Sequence, residues 1–168
     1  LHDSTEPRPF PVFIRAEGGP GPTLTDLIPD RTALHAAVAQ LADRPDRDDL
    51  MIVEFGNPPG ARGRYRKYSA YRVGDVIYPQ HCFSSPGWWI KFDADDMGEA
   101  QLAEHLDYVA TNPHAAPLRA VFELAGIEYG RIDYCMVEGR VQTFEINTNL
   151  TVVQGTAYRA GDMSQYAK

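Results

Sequence analysis

The stretch IEYGRIDYCMVEGRVQTFEIN (127–147) decides the fold. Two runs rich in β-branched and aromatic residues, 127–137 and 140–147, flank turn residues around Glu138-Gly139, which is the pattern of a β-hairpin. Asp133, Glu145 and Asn147 interrupt these apolar strands. Glu145 and Asn147 are two positions apart and therefore share one face. Whether Asp133 joins them depends on the connection. A three-residue loop centred on 138 or 139, a common form with a left-handed Gly, puts Asp133 and Glu145 on the same face; a two-residue turn puts them on opposite faces. On one face, two carboxylates and an amide oxygen form an oxygen-only ligand set, which suits Mg²⁺ or Mn²⁺. The competing reading is an exposed hairpin face carrying ordinary polar residues.

Working back from this hairpin, Leu118, Val121, Phe122 and Ala125 mark a helix over 114–125 with Gly126 as its C′ residue, and Leu102, Leu106 and Val109 mark another over 97–111. Asn112-Pro113 separates the two. GWWIKF (87–92) reads as a strand, and 64–73 and 76–83 as a hairpin about Gly74-Asp75, in which Pro79 demands an edge position or a bulge. GNPPGARG (56–63) is a loop and LMIVEF (50–55) a buried strand. A helix over 30–43 has Asp30 as its N-cap, with Pro45 just beyond its end. PFPVFIR (9–15) is a strand that runs into the Gly- and Pro-rich loop AEGGPGPT (16–23), while 148–168 is weakly patterned. The order β-α-β-β-β-β-α-α-β-β is an α+β arrangement of antiparallel sheets with flanking helices.

The 168 residues suffice for one domain, or two small ones, without a disulfide or structural metal. Fourteen glycines and thirteen prolines call for many turns. The net charge of −7 opposes a phosphate-backbone ligand, so no nucleic acid partner is expected. No apolar run approaches the roughly 20 residues of a membrane span and no signal peptide is visible, so no membrane partner is expected. Cys82 and Cys135 are far apart, outside any CxxC spacing, and read as buried thiols of a cytoplasmic protein. The chain starts at Leu1, without an initiator Met, which suggests a piece of something longer.

GRIDYCMVEGRVQTFEINTN (130–149) resembles the metal-binding hairpin of the ATP-grasp superfamily, with an Asp on one strand and a Glu and an Asn two apart on the next. The family motif ends in Asn-Pro, whereas here NTNL places Leu150 at the proline. The resemblance extends over about 9–150. It implies that Glu145 bridges two Mg²⁺ (or Mn²⁺) ions, with Asp133 on one and Asn147 on the other. PFPVFIR and its loop resemble the strand and phosphate-covering loop of the central subdomain, which gives Gly18, Gly19 and Gly21 to the nucleotide and Arg15 to its phosphates. LMIVEF resembles the linker strand at adenine and ribose, which gives Glu54 that neighbourhood. Lys67 and Lys91 are further candidate phosphate contacts. With Arg15 they are the catalytic candidates, as cations around the transferred charge. The implied division is a central (lid) portion over 1–49 and a C-terminal subdomain over 50–168. The N-terminal domain of the family is missing, so the chain reads as the C-terminal two-thirds or so of a larger protein.

The activity implied is that of an ATP-dependent ligase: ATP converts a small-molecule carboxylate to an acyl phosphate, which an amine or thiol attacks. Two other readings compete with it. A metal-dependent phosphodiesterase or nuclease uses similar carboxylates, yet Asn147 stands where such sites commonly carry Lys, and the charge disfavours DNA. A non-catalytic nucleotide-binding remnant is the third. The cluster Arg62, Arg64, Arg66 and Lys67 suits either phosphates or a solvated strand face, and His81, without a second His at ligand spacing, reads as structural. No Walker loop and no GxSxG motif occurs.

Overall fold

In a computed structural model, residues 9–17, 22–90 and 98–149 are described, and they fall into two compact units, 1–56 and 57–168. In the first, β1 (Val12–Ala16) and β2 (Leu50–Glu54) pair antiparallel, with Ile14 opposite Ile52. α1 (Arg31–Gln40) begins at Asp30, whose carboxylate accepts from the Ala33 N–H at 2.9 Å, the capping role its position predicts. The helix lays Leu34 on Val12, Ile14, Ile28 and Leu50, and these five residues form the core of the unit. LMIVEF pairs with β1, and both strands lie in the first unit.

The second unit is a four-stranded antiparallel sheet in the order β4-β3-β5-β6, made of β3 (Tyr65–Val73), β4 (Val76–Ser85), β5 (Tyr129–Val137) and β6 (Arg140–Asn147). α2 (Glu99–Thr111) runs along β4, while α3 (Ala115–Leu124) packs its buried Leu118 and Phe122 on Ala70, Ile77, Ile132 and Tyr134. Both helices end as their sequences dictate. Asn112 adopts the left-handed conformation between them (φ 46°), and Gly126 (φ 66°) closes α3 with bonds from Gly126 N to Glu123 O and from Ile127 N to Phe122 O. The α+β architecture of antiparallel sheets with flanking helices is the expected one.

Three local features decide where side chains point. β4 is an edge strand, and its register on β3 shifts between Ser69 and Ala70, which face His81 and Pro79. Pro79, which has no N–H, therefore has both the edge and the bulge that it demanded. The last hairpin turns through only two residues, Glu138 (φ 50°) and Gly139 (φ 77°), and not through a three-residue loop. Left alone, that turn would oppose Asp133 to Phe144. The register shifts there, so that Tyr134 faces Thr143 while Asp133 faces Glu145, and Phe144 is the extra, bulged residue. Asp133 and Glu145 thus share a face by way of a bulge. Third, residues 87–90, expected to begin a strand, are not strand. Ser85 takes the Gly87 N–H on its hydroxyl, and the Trp88 and Trp89 rings meet edge-on at 5.7 Å, which a pleat sending neighbours to opposite faces does not allow.

Candidate functional site

Helices α2 and α3 cover the face of the second sheet that carries Tyr68, Ala70, Ile132 and Tyr134. Strand alternation sends their neighbours to the other face, and the registers arrange these in rows across all four strands. One row is His81, Ser69, Asp133 and Glu145; the next is Tyr78, Tyr71, Arg131 and Asn147. The sheet therefore sets both acidic residues and Asn147 on one face.

Asp133 is the centre of this constellation. It is 4% exposed, and its Oδ1 accepts from the Ser69 hydroxyl at 2.9 Å while its Oδ2 lies 2.8 Å from Lys67 Nζ. Ser69 Oγ also lies 3.0 Å from Gln80 Oε1, and with one hydroxyl proton it donates to only one of these two oxygens at a time. Arg131 Nε sits 3.3 Å from Asp133 Oδ1, and its Nη2 is 4.0 Å from Glu145 Oε1. That Nε is buried and has no well-aligned acceptor among the described residues. Burial pushes the Asp133 carboxyl up, but Lys67, Arg131 and the Ser69 hydroxyl together pull it below the usual carboxylate range. Glu145, with its side chain 62% exposed, is open to a ligand. Asn147 Oδ1 accepts the Asn149 N–H at 2.9 Å, which closes the strand end.

His81 lies in the row of Asp133 and stacks on Phe83 with ring centroids 4.1 Å apart, and burial lowers its pKa to about 3, so that it is neutral. The arginines of the 62–67 cluster part company. Arg64 donates to Ser84 and Arg66 pairs with Glu104 on α2, so both are tied into the fold. Cys82 and Cys135 are buried thiols whose pKa burial raises to about 12 and about 11.

Of the residues singled out in the sequence, Lys67, Asp133, Glu145 and Asn147 come together. Arg15 and Glu54 lie in the first unit on opposite faces of the two-stranded pair, since Arg15 faces Met51 and Glu54 faces Val12. Gly18, Gly19, Gly21 and Lys91 lie outside the described residues. Two members of the constellation escaped the sequence reading. Arg131 stands two before Asp133 and was legible from strand alternation; Ser69 reaches Asp133 only through the pairing of β3 with β5, for which no local signal exists.

The donor chemistry fits a hard divalent cation: two carboxylates directly opposed and an amide oxygen one row away, all oxygen. Among the described residues, no group of three or more His, Cys, Asp or Glu is gathered to hold a metal, and the Asp133 carboxylate is held by protein cations. No described helix is long and apolar enough to cross a membrane.

No protein-family model matches the chain. Over 79 residues it is 33% identical to an NDP-N-acetyl-D-galactosaminuronic acid dehydrogenase of Ralstonia solanacearum, a match spanning 47% of this chain and 18% of that protein. In structure it is similar to a D-alanine–D-alanine ligase from Bacillus anthracis, with a TM-score of 0.43 and 12% identity over 83% of this chain and 43% of the ligase. The same ligase complexed with ATP gives a TM-score of 0.41 and 13% identity over 83% of this chain and 41% of that one. An L-amino acid ligase from Bacillus licheniformis gives 0.45 and 13% over 88% and 34%. The chain thus spans less than half the length of each of these proteins.

Proposed function

We propose that the second unit is the phosphate-holding part of an ATP-grasp ligase, in which Asp133, Glu145 and Asn147 hold Mg²⁺ against the phosphates of ATP. The observation that carries this reading is the pair of adjacent rows that set these three oxygen donors beside Lys67 and Arg131 on the sheet face turned away from the helices. The substrates fitting the resemblance are a small-molecule carboxylate and an amine or thiol, with ATP spent to activate the carboxylate as an acyl phosphate. The buried Cys82 and Cys135 thiols suit a reducing, cytoplasmic setting.

The physical difficulty of such a reaction is the approach of an anionic carboxylate to an anionic phosphate. Bound divalent cations supply charge neutralisation at the phosphate oxygens. Glu145, exposed and opposite Asp133, would hold such cations together with Asp133 and Asn147. Lys67 and Arg131 add positive charge beside the same row, where it offsets the negative charge of the transferred group. The fixed sheet holds these groups at set spacings before the nucleotide arrives.

Calorimetric titration of a non-hydrolysable ATP analogue, with and without Mg²⁺, tests the reading on the longest natural chain that carries this sequence. Saturable binding that requires Mg²⁺ is expected, and Glu145→Ala weakens it by about tenfold or more, the loss typical of a metal-site contact. Binding indifferent to Mg²⁺ or to Glu145 would overturn it.

A further inference from the structure

The Asp133 carboxylate has two claimants. It is buried, its side chain only 5% exposed, so it needs a positive partner at all times. Lys67 Nζ fills that need at Oδ2, at 2.8 Å, while Ser69 holds Oδ1. Arg131 approaches Oδ1 at 3.3 Å without good alignment, so Lys67 is the better-placed of the two cations. A divalent ion on the same oxygen would stand within a few ångströms of the ammonium, where like charges in a shielded setting repel strongly. The two do not share Oδ2. Only one of them is able to move: the Lys67 side chain is 28% exposed on a flexible stem, whereas Asp133 is fixed between Ser69 and β6.

We propose that Lys67 is a stand-in for the metal ion at Asp133, a positioning residue that keeps the carboxylate compensated until a divalent cation displaces its ammonium. This rests on the reading that Asp133, Glu145 and Asn147 form the metal site. Lys67 then competes with the bare ion, and the anionic phosphates of an incoming nucleotide offer the displaced ammonium a new partner. Metal alone binds weakly; metal and nucleotide bind together.

The test is titration with Mn²⁺ alone, without nucleotide, at pH 7.5, followed by calorimetry and by the paramagnetic signal of unbound Mn²⁺. An opposite charge this close changes a carboxylate's proton affinity by about 1–3 pKa units, and its affinity for a metal responds to the same field in the same sense. Lys67→Met, which keeps the apolar stem, is therefore expected to bind Mn²⁺ about tenfold or more tightly than the wild type. Lys67→Arg, which keeps the charge, stays near the wild type. Lys67→Gln serves as a second neutral variant if the methionine variant fails to fold, as judged by circular dichroism. Equal or weaker Mn²⁺ binding in the neutral variants, with binding still dependent on Glu145, overturns the stand-in role and leaves the metal site intact. Mn²⁺ binding that Glu145→Ala does not change, or none in any variant, overturns the metal site and the stand-in role with it.

Discussion

At the scale of single residues, burial and charge set the chemistry of the second unit. His81, half-buried beside Asp133, Lys67 and Arg131 and stacked on Phe83, is neutral in the fold, with a pKa of about 3 against the ordinary 6.5. The folded state thus binds fewer protons there than the unfolded chain. The stabilisation is whole above about pH 6.5 and is lost progressively as the pH falls toward 3. Burial lowers His105 and His114 as well, so three histidines act in one direction. The free energy of unfolding, measured by urea titration at several pH values, is expected to drop below pH 6.5. His81→Gln removes up to about 1.4 kcal/mol per pH unit of that slope, one proton's worth. A slope unchanged by this substitution would mean that His81 is charged in the fold.

At the scale of elements, the β6 bulge brings Glu145 and Asn147 to the side of Asp133, because side chains alternate and a one-residue slip reverses every one of them. Deleting Phe144 takes out the residue without a partner and leaves Glu145 opposite Asp133. The deletion is expected to cost no more than about 1–2 kcal/mol and to keep Mg²⁺-dependent nucleotide binding. Inserting one Ala between Phe144 and Glu145 is expected to do the reverse. It turns both polar residues toward Ile132 and the α3 core, where a carboxylate is costly, and the hairpin unfolds or the binding is lost. Melting temperature and nucleotide titration on the two variants decide the matter; similar behaviour of both would show that the bulge does not set the face. The two-residue turn shows why this was hard to read in advance. Glu138 in a left-handed conformation beside Gly139 closes the hairpin more tightly than a three-residue loop, and the bulge then restores the facing.

At the scale of the molecule, each unit has its own core, Val12, Ile14, Ile28, Leu34 and Leu50 in the first and Leu118, Phe122, Ala70, Ile77, Ile132 and Tyr134 in the second. Leu118 is fully buried, so Leu118→Ala is expected to cost about 2–5 kcal/mol through lost contacts and the cavity left behind. Hydrogen exchange should show that loss in β3, β5 and α3, with protection in β1 and β2 unchanged. Equal loss in both units would show that they unfold as one.

The sequence by itself determined what local chemistry controls. The caps at Asp30 and Gly126, the break at Asn112-Pro113, the hairpin about Gly74 and the demand of Pro79 for an edge or bulge all arise within a few residues, and all stand in the structure. The polar triplet Asp133, Glu145 and Asn147 was legible for the same reason, since it breaks apolar strands at a spacing of two. Tertiary structure alone decided the rest. Strand order, the pairing of Ser69 with Asp133 and the reach of Lys67 to the same carboxylate join residues more than sixty positions apart, and nothing in their neighbours specifies them. The strand over 87–92 failed in its described part because an apolar run signals burial or extension alike, and the chain bends there, with the Ser85 hydroxyl on the Gly87 N–H and the two tryptophans packed together. Local signals fix conformation; only the assembled sheet fixes which charges meet.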